Sequence, residues 1–367
     1  MTVSEVRPEQ FDWLDPSRYT FSLGVESGSA TWVSGQTASR HDPGTGGMTS
    51  GGDVAEQAAV CWAKTRAVLE AAGRSPGDIT ELVEYVTVGG LADEPARVSA
   101  RPTDRAASVV VVESLVRPDA DLEVEVVAGG PAGLVRLPQL LPLDRAGRVV
   151  APGDFVTQCA WVLEEAGRQL ADHGLRLDDV VRVVQQSTPA TRPLYRDTAV
   201  ARRELLGPTF PASTGILVSR LPHPEALVAL DVWASAEPRT VVPYATEAYG
   251  PLTFSPAVTA GGLVFISGTT AWDPASGGTV APDDIRGQAE FIYGEIARVC
   301  ELAGTSIDAL VKTVEYVTPA GLARYREVAD VRRERLGRPF PVSTGVVVAG
   351  LLGRTWQLEV EAVAALP

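Results

Sequence analysis

The sequence has 367 residues, of which 45% are hydrophobic and 21% charged, so it can bury a substantial core and is not typical of a disordered chain. Its 32 basic and 46 acidic residues give a formal charge of −14 with no basic run, which argues against nucleic acid as a partner. No apolar run approaches the ~20 residues that cross a bilayer, so no membrane association is expected.

Cysteine usage and the first residues bear on the compartment. The three cysteines, Cys61, Cys159 and Cys300, are widely spaced and form no CxxC pair. Residues 1–13 lack a charged start followed by an apolar stretch, so they do not resemble a secretory signal. We therefore expect a cytoplasmic protein with reduced thiols.

Taken in chain order, the predicted elements repeat three times. Each repeat has a helical stretch from a glutamine to a glycine sixteen residues later, and a strand that begins at a valine 26 residues after the glutamine. These sets are Gln57, Gly73 and Val83; Gln158, Gly174 and Val184; and Gln288, Gly304 and Val314. Spacing preserved this closely predicts three copies of one folded unit.

Short motifs recur at matching positions. The recurrences are TFS at Thr20–Ser22 and Thr253–Ser255, VEYVT at Val83–Thr87 and Val314–Thr318, and FPASTG at Phe210–Gly215 with FPVSTG at Phe340–Gly345. The first repeat lacks about five residues in its second half, and the second is short of its first hairpin. We therefore divide the chain into unit 1 (1–135), unit 2 (136–236) and unit 3 (237–367).

The third repeat predicts the order of elements in the unit. GLVFISG is a glycine-bounded apolar strand, residues 283–303 have apolar side chains at helical spacing, and LVKTVEYV is a buried strand. Thr318-Pro319 begins a second helix, and the strands STGVVVAG and WQLEVEAVA are expected to close the unit as a hairpin. The order β-β-α-β-α-β-β is an α+β unit whose helices cover one sheet face. Three such units would bury their other faces around a common axis, so we expect a single-chain pseudo-trimer.

These motifs together resemble the RidA/YjgF reactive-intermediate deaminase superfamily. The SG[QT]T, VEYVT and FPxSTG…LEVEAVA segments carry the resemblance, which covers unit 3 fully and the other units in part. It implies three fused RidA-like units with small-molecule sites in the clefts between them. It also implies hydrolase, deaminase or lyase-type acid–base chemistry on an imine or enamine, without a cofactor, here expected in specialised metabolism. We expect a monomer or a weak homo-oligomer.

The resemblance also directs attention to particular residues. The superfamily's carboxylate-binding arginine is replaced by serine, the cysteine two residues later by glycine, and a tyrosine by phenylalanine. An acid near the last strand persists in all three units, and we predict that it acts as a general acid or base. The predicted catalytic residues are Glu361, Asp231 and Glu125. The predicted substrate-binding residues are Ser213, Thr214, Gly215, Ser343, Thr344, Gly345, Phe21, Phe254 and Arg220.

Purely structural interpretations of these residues remain open. The STG segments can instead be tight strand entries where glycine relieves crowding, and Arg220 can be a solvated charge. Glu361 lies on the same strand face as Glu359, and that face can instead be solvated. The three histidines, His41, His173 and His223, lack metal-ligand spacing and have no cysteine partner, so no metal is predicted.

Two other functions compete with the first. The chorismatases are single chains of fused RidA-like units that hydrolyse the enol ether of chorismate, and YGP at Tyr249–Pro251 and the Tyr195-Arg196-Asp197 segment resemble theirs. A metabolite-binding protein that has lost the chemistry is the second alternative. A nuclease role fits poorly with a charge of −14.

Overall fold

The computed structural model describes residues 2–11, 19–42, 44–45 and 47–367. Within these residues the long strands form three mixed sheets, one for each predicted unit, and two short strands form a separate hairpin. The sheets have the orders β1-β2-β3-β9-β6-β7, β10-β13-β11-β12-β19 and β14-β15-β16-β20-β17-β18-β8.

The elements fall into the three units in chain order. Unit 1 contains β1 (Val3–Val6), β2 (Gly24–Ser27), β3 (Ala30–Thr37), β4 (Arg40–Asp42), β5 (Gly47–Thr49), α1 (Val54–Ala71), β6 (Ile79–Val86), α2 (Val88–Ala92), α3 (Glu94–Ser99), β7 (Ser108–Val111), β8 (Ser114–Leu115) and β9 (Leu122–Gly129). Unit 2 contains β10 (Leu134–Arg136), α4 (Phe155–Ala171), β11 (Val180–Ser187), α5 (Ala199–Leu206), β12 (Ala212–Leu217) and β13 (Val228–Ser235). Unit 3 contains β14 (Thr240–Val241), α6 (Thr246–Tyr249), β15 (Ala257–Ala260), β16 (Leu263–Thr270), α7 (Ile285–Leu302), β17 (Leu310–Val317), α8 (Pro319–Leu322), α9 (Arg326–Arg335), β18 (Val342–Val347), β19 (Gly350–Leu351) and β20 (Leu358–Ala365). Short 3-10 helices lie at Glu9–Phe11, Pro76–Asp78, Leu177–Asp179, Pro189–Thr198 and Ile307–Ala309.

The three sheets share one plan. In each, a central strand (β6, β11 or β17) pairs antiparallel with the last long strand and parallel with a shorter strand on its other side. The antiparallel register slips at the same place in each unit, just before Glu81, Arg182 and Lys312. The shared plan of mixed sheets with helices between strands confirms the α+β fold class, and the shared irregularity confirms the three homologous units.

The prediction that the last two strands of the unit form a hairpin is wrong. In unit 3, β18 and β20 lie on opposite sides of β17 rather than beside each other. The reason is the crossover through α8 and α9, which returns the chain parallel to β17 on one edge. The chain then continues to β20 between β16 and β17, where it pairs antiparallel with both.

The unequal lengths of the units have structural counterparts. Unit 2 has β10 in the place of β16 and, within its described residues, no strand equivalent to β15. β10 crosses the expected boundary after residue 135 and pairs with β13 of unit 2. In unit 1 the missing residues fall in the crossover between β6 and β7, where α2 and α3 are short.

The first long helix of each unit covers one face of its sheet. In α7, Ile292, Ile296, Val299 and Cys300 are buried as the apolar stripe predicted. The three cysteines occupy these helices, and burial raises the pKa of each thiol to about 12. They are therefore protonated core residues rather than nucleophiles.

The other faces of the sheets meet at a common centre. One apolar cluster brings together Trp32, Trp233 and Phe265, one from each unit, with ring centroids 6.2 and 5.7 Å apart. A second cluster joins Tyr85, Ile216 and Tyr316, again one from each unit. Edge strands also cross between units, because β8 pairs with β18 and β19 pairs with β12. The chain is a single-chain pseudo-trimer.

Candidate active site

A cavity of about 130 Å³ lies between units 2 and 3. We call it the main cavity. It is lined by Tyr195, Ser213, Gly215, Tyr244, Tyr249, Phe254, Pro256, Gly268, Thr269, Thr270, Trp272, Pro274, Glu295, Val299, Leu352, Trp356 and Glu359. For comparison, an engineered protein cavity of ~150 Å³ binds benzene, so this cavity has room for a ring-sized molecule.

Two acids line the main cavity: Glu295 on α7, which forms an ion pair with Arg298 at 2.8 Å, and Glu359 on β20, which has no cationic partner among the described lining residues. Glu359 is therefore the candidate acid. It is 4% exposed, and burial, reinforced by the negative charge of Glu361, raises the pKa of Glu359 to about 8. The backbone N–H of Gly215 donates a hydrogen bond to this carboxyl group and partly offsets the rise. Glycine at position 268 lets the carboxyl group keep this position, because a Cβ there would lie 2.0 Å from Glu359 Oε1. At neutral pH the cavity therefore holds a protonated carboxyl group.

Aromatic rings form another part of the cavity wall. The ring centroid of Tyr249 lies 5.5 Å from that of Phe254, 5.7 Å from that of Trp272 and 6.1 Å from that of Tyr244. Tyr244 and Tyr249 come from the segment that connects units 2 and 3, of which the sequence pointed only to Tyr249, within the chorismatase-like YGP. Edge-to-face contacts of this kind hold the rings in place and favour a flat, largely apolar ligand.

Unit 2 contributes Ser213, Gly215 and Tyr195 to the same cavity. The N–H of Ser213 donates to Ser267 Oγ of unit 3 at 2.8 Å, which fixes the two units against each other. A Cβ at Gly215 would lie 2.8 Å from the Tyr195 hydroxyl, so that hydroxyl sits directly over the glycine that binds Glu359.

The predicted substrate-binding residues are thus divided among different places. Ser213, Gly215 and Phe254 line the main cavity, whereas Thr214 is buried beside it. Arg220 is exposed and is not part of the cavity lining. The lining contains no lysine, arginine or histidine among the described residues.

The remaining predicted residues belong to the equivalent cleft between units 3 and 1. Here Glu123 replaces Glu359, and burial together with the charge of Glu125 raises its pKa to about 8. The Ser343 hydroxyl accepts a hydrogen bond from Arg332 at 2.7 Å, and a Cβ at Gly345 would lie 2.3 Å from the Tyr325 hydroxyl. Phe21 packs on the core of unit 1. Residues 12–18, the counterparts of α6, lie outside the described residues.

The third cleft, between units 1 and 2, is lined by different residues. Ala229 takes the place of Glu359, and Val109 takes the place of Gly215. The amide side chain of Gln139 pairs with both backbone groups of Val109, at 3.2 and 3.1 Å. This cleft therefore lacks the acid and is occupied by the chain itself.

The three predicted catalytic acids lie on the central axis rather than in the clefts. Glu361 is 2% exposed and accepts hydrogen bonds from the Arg182 guanidinium. Glu125 accepts from Lys312 and Thr344, and Asp231 accepts from Ser108 and from Gln186, the latter at 3.1 Å. Burial raises the pKa of Asp231 to about 6.

These acids form what we call the ionic layer, together with Glu81, Arg182 and Lys312 from equivalent positions of the central strands. Glu81 lies 3.5 Å from Lys312 Nζ and 3.6 Å from Arg182 Nη1, and accepts from Trp233 Nε1 at 2.9 Å. Burial would raise the pKa of Glu81, but these cations hold it below its usual value. Glu361 and its counterparts are thus already occupied by protein partners.

Sequence reasoning missed Glu359 for an identifiable reason. The prediction chose Glu361 because an acid recurs at that position in all three units. In the structure, however, the position that carries an acid in every unit lies on the central axis that the units share, and not in a cleft. The acid of the cleft recurs only in units 1 and 3, as Glu123 and Glu359. The signal that could have identified it is the alternation in LEVE, which places both glutamates on the same strand face.

The serine of unit 1, Ser108, resembles Ser213 and Ser343 in residue type but not in strand register. By strand register it faces Val83, as Thr214 faces Val184 and Thr344 faces Val314, so it is the counterpart of the threonines. Its hydrogen bond to Asp231 repeats that of Thr344 to Glu125.

Metal-binding clusters and membrane-spanning helices are both absent from the described residues. No group of three or more histidine, cysteine, aspartate or glutamate residues there is arranged to hold a metal ion. Nor does any helix in the same ranges combine the length and the apolar character needed to span a membrane.

Known proteins are similar in sequence to units 1 and 3. A family model described as endoribonuclease L-PSP matches residues 15–129 and 245–366. Protein mmf2, mitochondrial, of Schizosaccharomyces pombe is 31% identical over 115 residues, which are 30% of this chain and 86% of that protein. The RutC family protein y4sK of Sinorhizobium fredii is 31% identical over 125 residues, 33% of this chain and 92% of its own.

A solved structure matches more of the chain. The crystal structure of a chorismatase covers 78% of this chain and 93% of its own, with a TM-score of 0.54 and 18% identity. At that identity the match reports on the fold alone, and it agrees with the arrangement of three fused units.

Proposed function

This chain belongs to the endoribonuclease L-PSP family, and from that premise we propose that its main cavity hydrolyses a small imine or enamine by acid–base catalysis. The observation that carries the proposal is Glu359, a carboxyl group with a pKa of about 8 inside a ring-sized cavity. An acid that stays protonated at neutral pH can deliver a proton to the substrate, and its conjugate base can then accept one from water.

The chemistry requires only this group and water. Glu359 donates its proton to the enamine carbon, which leaves an iminium ion. The carboxylate then takes a proton from water as its oxygen bonds to the iminium carbon. The resulting amino alcohol loses ammonia or an amine and becomes a carbonyl compound, with Glu359 protonated again. One water is consumed for each C–N bond broken, and no metal or redox partner is needed.

The lining restricts the substrate. Tyr249, Phe254 and Trp272 favour a flat apolar body, and the described lining offers no cationic side chain. Chorismate carries two carboxylates, so its hydrolysis is less well supported here than that of a substrate with at most one charge. RNA cleavage is disfavoured by the net charge of −14.

A trapping assay tests the proposal. An amino acid oxidase converts phenylalanine into its imino acid, which exchanges with the enamine, and semicarbazide captures this imine much faster than it captures the keto acid that hydrolysis yields. The wild-type protein should lower the rate of semicarbazone formation. Glu359→Gln should reduce that effect at least 100-fold, because general acid–base groups contribute ~10²–10⁴ in rate.

The matched control is Glu123→Gln, which changes the equivalent acid in the other cleft and should keep most of the activity. If Glu123→Gln abolishes hydrolysis and Glu359→Gln does not, the active cleft is the one between units 3 and 1. Wild-type protein that leaves the semicarbazone rate unchanged would favour a binding protein over an enzyme.

A further inference from the structure

One position on the central strand distinguishes unit 2 from the other two units. Units 1 and 3 carry Glu84 and Glu315 there, and each forms ion pairs with arginine. In unit 1 the partners are the buried Arg97 and the partly exposed Arg101, the latter at 2.7 Å, and in unit 3 the partner is the buried Arg332 at 3.3 Å. Unit 2 has Gln185 at this position. The charge that neutralises the arginine in its sister units is therefore missing.

The arginine itself is retained in unit 2. Arg202 is 5% exposed and donates to the Gln185 side-chain oxygen and, at 2.9 Å, to the Tyr195 hydroxyl. Among the described residues no carboxylate forms an ion pair with it. A buried guanidinium without a counterion is costly, and an anion brought close to it would relieve that cost.

The same substitution changes what the neighbouring tyrosine can do. In unit 3 the Tyr325 hydroxyl donates its proton to Glu315, which also accepts from Tyr293 at 2.5 Å. In unit 2, Tyr195 accepts a hydrogen bond from Arg202, and the carboxylate that would take its proton is absent. Its O–H is left to donate elsewhere, and a guanidinium bound to the phenolic oxygen makes it a stronger donor.

The Tyr195 hydroxyl faces the main cavity. It lies over Gly215, whose N–H binds the Glu359 carboxyl group. The donor and the acid therefore border the same space. A ligand that occupies this space meets both.

We propose that Tyr195, backed by Arg202, is a subsite for a carboxylate or carbonyl oxygen on the ligand of the main cavity, and that glutamine at position 185 is what opens it. The proposal rests on the proposed function for the identity of that cavity as the substrate site. Tyr195 binds the oxygen, and Arg202 is a positioning residue that acts through it. The substrate class is then a ring-sized imine or enamine with one oxygen acceptor, and a carboxylate is preferred over a neutral carbonyl.

Three probes of similar size separate these preferences: benzoate, benzamide and toluene. Binding is followed by tryptophan fluorescence, because Trp272 and Trp356 line the cavity. The wild-type protein should bind benzoate more tightly than benzamide, and benzamide more tightly than toluene. Tyr195→Phe should weaken benzoate about tenfold and leave toluene unchanged, the loss expected for one hydrogen bond to a charged group.

Gln185→Glu gives a second, independent variant. It restores the carboxylate found in units 1 and 3, so Arg202 gains a counterion and folding is expected to be preserved. The tyrosine proton is diverted to the new carboxylate, and benzoate binding should fall at least tenfold while toluene binding is retained. The matched control is Tyr325→Phe, whose hydroxyl is bound to Glu315 in unit 3 and which should leave all three affinities unchanged.

The inference is overturned if the wild-type protein binds none of the probes or shows no preference for an oxygen. It is also overturned if Tyr195→Phe weakens toluene as much as benzoate, which would indicate a structural role. The binding measurements do not depend on turnover. A protein that prefers ligands with an oxygen acceptor but hydrolyses no imine would therefore contradict the proposed function and still support the subsite.

Discussion

Two glutamates separated by one residue on β20 have opposite environments. Glu361 lies against Arg182 in the ionic layer, whereas Glu359 has a backbone N–H and a cavity as its surroundings. Burial is similar at both positions, so the two sites differ in the cation beside Glu361 and not in depth. This difference makes Glu359 the better candidate for the acid of the main cavity.

The raised pKa of Glu359 predicts a pH-dependent stability. Its pKa rises from 4.5 to about 8 on folding, so its contribution is fully present below pH 4.5 and is lost as the pH rises to about 8. A tenfold change in an acid dissociation constant corresponds to about 1.4 kcal/mol of unfolding free energy. Glu359→Gln, which cannot ionise, should match the wild-type protein at pH 5 and exceed its stability at pH 9.

Urea denaturation at both pH values measures this difference. An equal gap between the two proteins at pH 5 and pH 9 would mean that Glu359 titrates normally. In the trapping assay the same proton should appear as a fall in kcat/KM above pH 8, because the free enzyme then loses the acid.

At the scale of elements, the site exists because β12 and β16 approach closely across the interface of units 2 and 3. Ser213 N–H binds Ser267 Oγ at 2.8 Å, and Ser343 N–H binds Ser34 Oγ at 2.9 Å in the equivalent place between units 3 and 1. Gly268 in β16 leaves room for the Glu359 carboxyl group. Small side chains along these strands are thus needed for contact between units.

Gly268→Ala tests this requirement. The new Cβ would lie 2.0 Å from Glu359 Oε1 and 3.1 Å from Thr214 Cγ2, so the carboxyl group must move out of its position. We expect at least a tenfold loss of imine hydrolysis in the trapping assay. Activity within twofold of the wild-type protein would show that the carboxyl position is not critical.

Gly294→Ala is the matched control. Gly294 lies inside α7, and a Cβ there would have no atom within 4 Å. Alanine in a helix interior should increase stability by up to ~1 kcal/mol and leave hydrolysis unchanged.

For the whole molecule, the ionic layer explains why the three units are not interchangeable. Equivalent positions of the central strands carry Glu81, Arg182 and Lys312, where three identical units would place three like charges. Burial would lower the pKa of Lys312, but Glu125 and Glu81 outweigh it and keep the ammonium charged. The units therefore complement one another in one order around the axis.

Removing one cation should be strongly destabilising. Arg182→Met leaves Glu361 buried without its partner, and breaking a buried ion pair typically costs ~3–5 kcal/mol. The double variant Arg182→Met/Glu361→Gln should recover part of that loss, because it removes the uncompensated charge. Urea denaturation at pH 7 measures both, and a loss below ~1 kcal/mol for the single variant would contradict a structural role for the layer.

Local pattern was sufficient for the repeat, the helices and the buried strands. The glutamine-to-glycine spacing identified α1, α4 and α7, and LVKTVEYV matched β17 residue for residue. These features depend on side-chain periodicity along a short stretch, which the sequence contains in full. The alternation of LEVE also indicated correctly that Glu359 and Glu361 share a face.

Which of those two glutamates faces a cation and which faces a cavity depended on residues far away in the chain. Arg182 is 179 positions from Glu361, and Gly215 comes from a different unit than Glu359. The separation of β18 from β20 and the open proton of Tyr195 are likewise decided by contacts between segments that are apart in the sequence, here within one unit. The main cavity and its linker tyrosines arise where units meet, and contact between units follows from packing around an axis that no local pattern encodes.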